Sequence, residues 1–378
     1  MGVMRLSRGS SSISEVRVGR ENPFVQFSRR HIPSIDRQMK TFFDRKARAA
    51  PYPFIREMFA DLQEYCLREG KRVRPLLLLL ACEAYGEPGT SLKPFLPAAA
   101  AVEMMHSFLL IQDDIIDRSD LRRGQKTLHI LSRERYGRLT KNPHAGDDIA
   151  LILADVLFAG ALEMVGGAAL DAGRKNEFLK IFASTYEMTA WGQILDILHS
   201  LPAEVDLPEI PEMIGTLKTA HYTIYYPLLM GLVLSGNYSR KEERRIRDFA
   251  LPLGLSFQIR DDMLGVFGSE KEIGKPASSD LQEGKMTFLV QDTLTVLNAR
   301  ERREFLARFS REKKSREDLE FLRGIILTSG ARDKSRERQE RLLALGRKNL
   351  QKLSLREKQK ALFEGLIEVM SPVEREKK

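Results

Sequence analysis

Three aspartates close an apolar run in 108-FLLIQDDIIDRSDLRRGQKTLH-129. On a helix, residues four apart share a face, so Asp113 and Asp117 project together with Asp114 beside them. Carboxylates crowded in this way repel one another unless a cation lies between them. An all-oxygen set without His or Cys suits a hard cation such as Mg2+, which binds through one or two carboxylates plus substrate phosphates. Taken alone, the pattern is also that of an acidic helix end running into a solvated turn. A second acidic pair, Asp261 and Asp262, ends another apolar-periodic segment in 257-FQIRDDMLGVFGSEKEIGKPASSDLQEGKMT-287, before a Gly-rich loop with Lys275 and Lys285. Two such ends in one chain point to facing carboxylate clusters that share metal ions across a bundle.

Cations accompany both clusters. The segment 70-GKRVRP-75 sets Lys71, Arg72 and Arg74 at a helix start, and Arg122 and Arg123 follow the first aspartates. Arginine forks grip phosphate oxygens and lysine acts as a point charge, so these groups suit diphosphates. His106 lies seven residues before Asp113, two turns along the same face, as either a ligand contact or a core histidine.

The elements that must hold these residues are helical. From about Arg45 onward apolar residues recur at three- and four-residue spacings, with no alternating run of useful length, so the fold class is all-α. Helices are predicted over 53–69, 73–85, 96–118, 148–172, 175–199, 210–235, 241–267, 283–298, 300–309, 315–328 and 332–349. Gly/Pro-rich breaks fall at 86–89, 202–211 and 268–280. The mixed charge of 299–318 and 332–360 reads as solvated helix faces.

Composition excludes several classes. Of 378 residues, 43% are apolar and 30% charged, which is globular rather than disordered or fibrous. Two cysteines, Cys66 and Cys82, argue against a disulfide framework and for a reducing compartment. No apolar stretch reaches the ~18 to 20 residues of a membrane span, so no transmembrane segment is expected. The net charge is +9, but residues 1–50 hold eleven Lys and Arg against four Asp and Glu. A nucleic-acid binder would spread that excess over its folded body, and none is expected here. Residues 1–40 read as a basic, flexible N-terminal arm, with a transit peptide as the alternative, and 41–378 as one domain. Leu6 stands where a myristoylation signal needs Ser or Thr.

In order along residues 65–330, the chain resembles the trans-isoprenyl diphosphate synthases, the polyprenyl synthetase family, and above all its archaeal-type geranylgeranyl diphosphate synthases. The resemblance is carried by GKRVRP, His106, DDIID with RRGQKTLH, 192-GQILD-196, 218-KTAHYT-223, FQIRDDMLG, GKP and 279-SDLQEGKMT-287. It implies a single large antiparallel helix bundle around a deep central cavity, Mg2+-dependent prenyl transfer with two or three ions per site, and a cytoplasmic homodimer. Matched by position, Asp113, Asp117 and Asp261 are implied as metal ligands, supported by Asp114 and Asp262. Arg122, Lys218, Lys275 and Lys285 are implied to hold the allylic diphosphate, and Lys71, Arg74, His106 and Arg123 the isopentenyl diphosphate. Thr219 and Gln258 fall where the family places oxygens near the allylic cation. Phe108, five residues before Asp113, corresponds to the family's chain-length position and implies a C20 product, with farnesyl or C25 products as alternatives. A helical wheel puts Leu109 nearer the metal-facing side, and Phe108 could equally be ordinary core. Three departures stand out: Gly265 replaces the third aspartate of the second cluster, Ala154-Asp155 replaces a Gly-Asp, and the arm has no counterpart. A class I terpene cyclase needs only one diphosphate site, and a non-catalytic subunit should have lost carboxylates.

Overall fold

The computed structural model describes residues 21–200, 209–268 and 278–371. Long helices dominate: α1 (Pro23–Ala49), α2 (Pro53–Leu67), α3 (Val73–Tyr85), α4 (Leu96–Ile116), α5 (Leu128–Tyr136), α6 (Ala145–Gly166) and α7 (Ala172–Leu198). After 201–208 come α8 (Ile210–Ile214), a π-helical segment (Gly215–Tyr225), α9 (Tyr226–Ser235) and α10 (Arg240–Phe267). The short α11 (Ser279–Glu283) and α12 (Phe288–Val296) follow, and then helices over Ala299–Phe309, Arg316–Thr328, Ala331–Leu350 and Glu357–Met370.

Most predicted helices lie within a few residues of the observed ones. The segment 283–298 is split, because Gly284 adopts φ 71° and Thr287 caps a new helix by accepting from the Val290 N–H. Four elements escaped the periodicity: α1, α5, a short hairpin and the last helix. Leu121–Arg122 pairs with Gln125–Lys126 in a minimal hairpin whose turn residues, Arg123 and Gly124, both have positive φ. The helix Glu357–Met370 hides its apolar stripe, Leu362, Phe363, Leu366 and Ile367, behind the charged stretch read as solvated.

The first helix occupies much of the segment expected to be an arm. Asn22 caps α1 by accepting from the Phe24 and Val25 N–H groups, and its amide donates to Gly365 O at 3.0 Å. Phe24, Phe27, Ile35, Met39, Phe42 and Phe43 are all buried in the main core. Because burial of this stripe outweighs the basic composition, residues 23–40 belong to the bundle and not to an arm. Residues 1–20 lie outside the described residues.

The main core joins α1, α3, α4, α6, α7 and α9, with the alanine run 98–101 of α4 fully buried so that α6 can pack closely. A second core gathers Val266, Leu281, Leu289, Phe305, Phe309 and Leu322, and so anchors the loop around Lys285. Two helical stretches, Lys93–Ile116 and Ala145–Gly166, are long and apolar enough to cross a membrane by length and composition. The first is mostly enclosed in the bundle, whereas only 44% of the second's window is buried. α6 therefore leaves Leu151, Ile152 and Val156 exposed, and α7 does the same with Trp191, Ile194 and Leu198.

Candidate active site

The first cluster sits where α4 stops. The Asp117 N–H closes the last turn on Asp113 O at 2.8 Å, and Arg118 turns the chain away with φ 51°. Asp113 meets Lys218 Nζ at 3.4 Å and Arg122 Nη2 at 3.2 Å, while Asp117 accepts from Lys285 Nζ at 2.9 Å. Asp114, expected to support the metal ligands, is enclosed by protein groups. It is 1% exposed, and its two oxygens accept from Tyr65 Oη at 2.8 Å and Arg122 Nε at 2.7 Å. Its function in the fold is to aim Arg122, since a buried carboxylate must be paired and this one takes the guanidinium.

The second cluster ends α10. Asp261 opens onto a cavity of about 340 Å3, whose lining also includes Lys71, Arg122, Lys218, Gln258, Asp262 and Lys285. Burial raises the Asp261 carboxyl to about 6, against the opposing pull of Arg260 and Lys71. Asp262 is bonded on both oxygens, by Gln258 Nε2 at 2.7 Å and by the Phe288 N–H at 3.0 Å. Thr219 Oγ1 donates to Gln258 Oε1, so Thr219, Gln258 and Asp262 form one chain of hydrogen bonds. Asp262 thus reads as an organiser of this wall more than as an open ligand. At Gly265 a Cβ would come within 2.7 Å of the Asp280 carboxyl carbon, so the carboxylate of Asp280 fills the space that the missing third aspartate leaves.

Lys218 and Thr219 ride on the π-helical segment, a widened turn of the kind often found at functional sites. This segment crosses α7 so closely that a Cβ at Gly192 would lie 2.5 Å from Lys218 N. The crossing brings Lys218 Nζ to 2.7 Å from Asp196 Oδ2. Burial disfavours the charge on Lys218, but Asp113 and Asp196 override it and its pKa rises. Lys285 behaves alike: burial opposes its charge, and Asp117 and Asp113 lift its pKa well above the ordinary lysine value.

Behind Lys71 lies a cationic group. Arg74 donates to Thr223 Oγ1 at 2.8 Å, stacks 3.9 Å over the Tyr222 ring and reaches His106 Nε2 at 3.4 Å. Burial, with Arg74 and Arg123 nearby, pushes His106 well below the usual imidazole range. Its ring is then neutral, and with Nε2 accepting from Arg74, Nδ1–H donates to Tyr222 Oη at 2.6 Å. Arg72 is not part of this set. Its guanidinium is spent on Asp36 and Glu103, both at 2.9 Å. Sequence reasoning also passed over Asp196, Tyr222 and Thr223 as individuals, although GQILD and KTAHYT contain them.

Phe108 is 2% exposed and turns toward α6 and α7, with ring centroids 5.0 Å from Phe158 and 5.3 Å from Tyr186. A neighbouring pair of helices, not the α4 wheel, therefore decides what Phe108 faces. Leu109 is half-buried against the same core. Lys275 lies outside the described residues.

The donors fit a hard divalent cation. They are oxygens only, and the Lys218 and Lys285 ammonium groups already bind the Asp113 and Asp117 carboxylates as positive partners. Among the described residues no three acidic, His or Cys groups converge tightly enough to hold an ion unaided.

In this all-α bundle one cavity is lined by Asp261 and Asp262 of the second cluster and by Lys71, Arg122, Lys218 and Lys285, the last three of which pair with the aspartates of the first cluster. The family model for Polyprenyl synthetase matches residues 56–326, and the chain belongs to that family. It is 33% identical to a geranylgeranyl diphosphate synthase of Saccharolobus solfataricus, over 72% of this chain and 78% of the relative. It is likewise 33% identical to a geranylfarnesyl diphosphate synthase of Aeropyrum pernix, over 71% of this chain and 79% of the relative. A Corynebacterium glutamicum geranylgeranyl pyrophosphate synthase, solved with isoprenyl diphosphate and magnesium, superimposes with a TM-score of 0.82 at 26% identity, covering 89% of this chain and 97% of its own.

Proposed function

We propose that the protein is a Mg2+-dependent short-chain prenyltransferase that condenses isopentenyl diphosphate with C5 to C15 allylic diphosphates, giving mainly geranylgeranyl diphosphate and diphosphate. The observation that carries this reading is the pairing of Asp113 and Asp117 with Lys218 and Lys285 beside Asp261, with Lys71 in the same cavity and a further cationic group formed by Arg74, His106 and Arg123. One set serves each diphosphate. A terpene cyclase would need only the first.

Asp113, Asp117 and Asp261 would hold Mg2+, which supplies Lewis-acid stabilisation of the departing diphosphate. Arg122, Lys218 and Lys285 bind the allylic diphosphate oxygens and stabilise negative charge as the C–O bond breaks. Thr219 and Gln258 present oxygens to the allylic cation, and Ile214, Leu264, Met286 and Phe288 give the same cavity an apolar wall that helps to keep water away. Lys71, Arg74 and Arg123 orient isopentenyl diphosphate for attack through its double bond, and neutral His106 adds a dipole without adding charge. The departing diphosphate accepts the proton whose loss restores the alkene. Phe108, backed by Phe158 and Tyr186, closes the tunnel at C20. The relative called a geranylgeranyl diphosphate synthase supports this length, and the one called a geranylfarnesyl diphosphate synthase makes C25 the alternative.

A second copy of the chain would cover the apolar faces of α6 and α7, since Ile152 is 62% and Leu198 69% exposed. Two buried free thiols fit a reducing cytoplasm. The test is incubation with Mg2+, labelled isopentenyl diphosphate and each of the C5, C10 and C15 allylic diphosphates, followed by sizing of the dephosphorylated products. A dominant C20 alcohol, abolished by chelator, is expected. No elongation from any starter would overturn the reading.

A further inference from the structure

We infer that Glu103 is a positioning residue for isopentenyl diphosphate, acting through Arg72 and Arg123; this rests on the assignment of Lys71, Arg74 and Arg123 proposed above. Arg72 sits between Lys71 and Arg74 in sequence, so its backbone sets the directions in which both project. That backbone is left-handed, at φ 47° and ψ 37°, a conformation that an arginine keeps only when its surroundings hold it. Its side chain supplies the hold. The guanidinium donates to Glu103 Oε1 at 2.9 Å, to Asp36 Oδ1 at 2.9 Å, and to the carbonyls of Cys66 at 3.0 Å and Arg68 at 2.9 Å. Arg72 and Glu103 side chains are each 2% exposed, so neither charge has water to fall back on.

Glu103 also bears on Arg123, through the loop that Arg72 ties down. Its Oε2 is buried and has no hydrogen-bond partner, although Oε1 is fully engaged. Arg123 is itself pinned to the loop that Arg72 ties down. Its Nη1 donates to Arg68 O at 3.4 Å and lies where a Cβ on Gly70 would approach to 2.6 Å. His106, three residues after Glu103, lies on the same side of α4. One buried carboxylate on α4 therefore ties down, through Arg72, the loop that carries Lys71 and Arg74 and against which Arg123 packs.

The experiment compares Glu103→Gln with Lys71→Ala in steady-state kinetics, varying isopentenyl diphosphate and the C15 allylic diphosphate separately. Lys71→Ala raises the KM for isopentenyl diphosphate if the assignment of the subsite is right. Glu103→Gln is expected to raise the same KM by about tenfold, the equivalent of one charge-assisted contact, with the allylic KM and kcat within about twofold. Elevated KM in Lys71→Ala but not in folded Glu103→Gln overturns the positioning role and leaves the subsite standing. No rise in either variant overturns the subsite and this inference with it. A fall in kcat with both KM values unchanged marks Glu103 as merely structural and also overturns it. Should Glu103→Gln fail to fold, the neutral pair Arg72→Met with Glu103→Met removes the uncompensated charge. A normal isopentenyl KM in that pair refutes the inference, and a raised one supports it.

Discussion

Replacing Phe108 with alanine should lengthen the product by one five-carbon unit. The substitution deletes six ring carbons at a position five residues before Asp113, about 7.5 Å of helix rise below the carboxylates. The ring is nearly inaccessible and packs in a triangle with Phe158 and Tyr186, so the space it leaves is bordered by aromatics and stays dry. An empty hole there costs about 3–5 kcal/mol of stability. A growing chain that enters it regains about 0.8 kcal/mol per methylene-sized group, or about 4 kcal/mol for five carbons. That corresponds to roughly a thousandfold better retention of the C20 intermediate in position for another round, so elongation should outrun release. The assay is product sizing from labelled isopentenyl diphosphate and the C15 starter, alongside a melting curve for the variant. A shift of the main product from C20 to C25 with a lowered melting temperature is expected. A folded, active variant that still stops at C20 would refute the argument and move the floor to Leu109 or Met105.

Further consequences can be checked directly. Asp113→Ala and Asp261→Ala should each lower turnover on the order of 10² to 10³ or more while circular dichroism stays unchanged; near-normal turnover in either would end the two-cluster reading. Asn22→Ala should cost about 1–2 kcal/mol in denaturant unfolding, because it removes the α1 cap and the bond to Gly365 O, and no loss would return these residues to an arm. Burial pushes the Cys66 thiol up to about 12, leaving a thiolate fraction of about 10⁻⁴ at pH 8, and raises Cys82 as well. Neither thiol should therefore react with a maleimide until the protein is denatured, and rapid labelling of the native protein would contradict the packing. In light scattering, exchanging Ile152 and Leu198 for lysine should yield monomers if a second copy covers α6 and α7.

Much of the site was legible because its chemistry is written in short, local spacings. DDIID, GKRVRP and DDMLG fix which side chains leave one helix end together, and helix geometry needs no tertiary information for that. What local spacing could not supply was the partner across the cavity. Asp114 and Asp113 are neighbours of the same type, yet Tyr65 and Arg122 enclose one while Lys218 approaches the other. Arg72 and Arg74 differ in the same way, one consumed by Asp36 and Glu103 and the other facing Tyr222 and His106. Composition misled at both ends, where charged residues masked the apolar stripes of α1 and of the helix Glu357–Met370.

The sequence by itself determined an all-α chain with two acidic helix ends and the cations to match, since periodicity and residue chemistry are properties of contiguous segments. Only the tertiary structure decided that the π-helical segment sets Lys218 between Asp196 and Asp113, that Asp280 stands in the room left by Gly265, and that Phe108 meets Phe158 and Tyr186. Those are contacts between residues far apart in the chain. Their geometry is set by how closely helices cross, and that depends on the side chains of both partners at once.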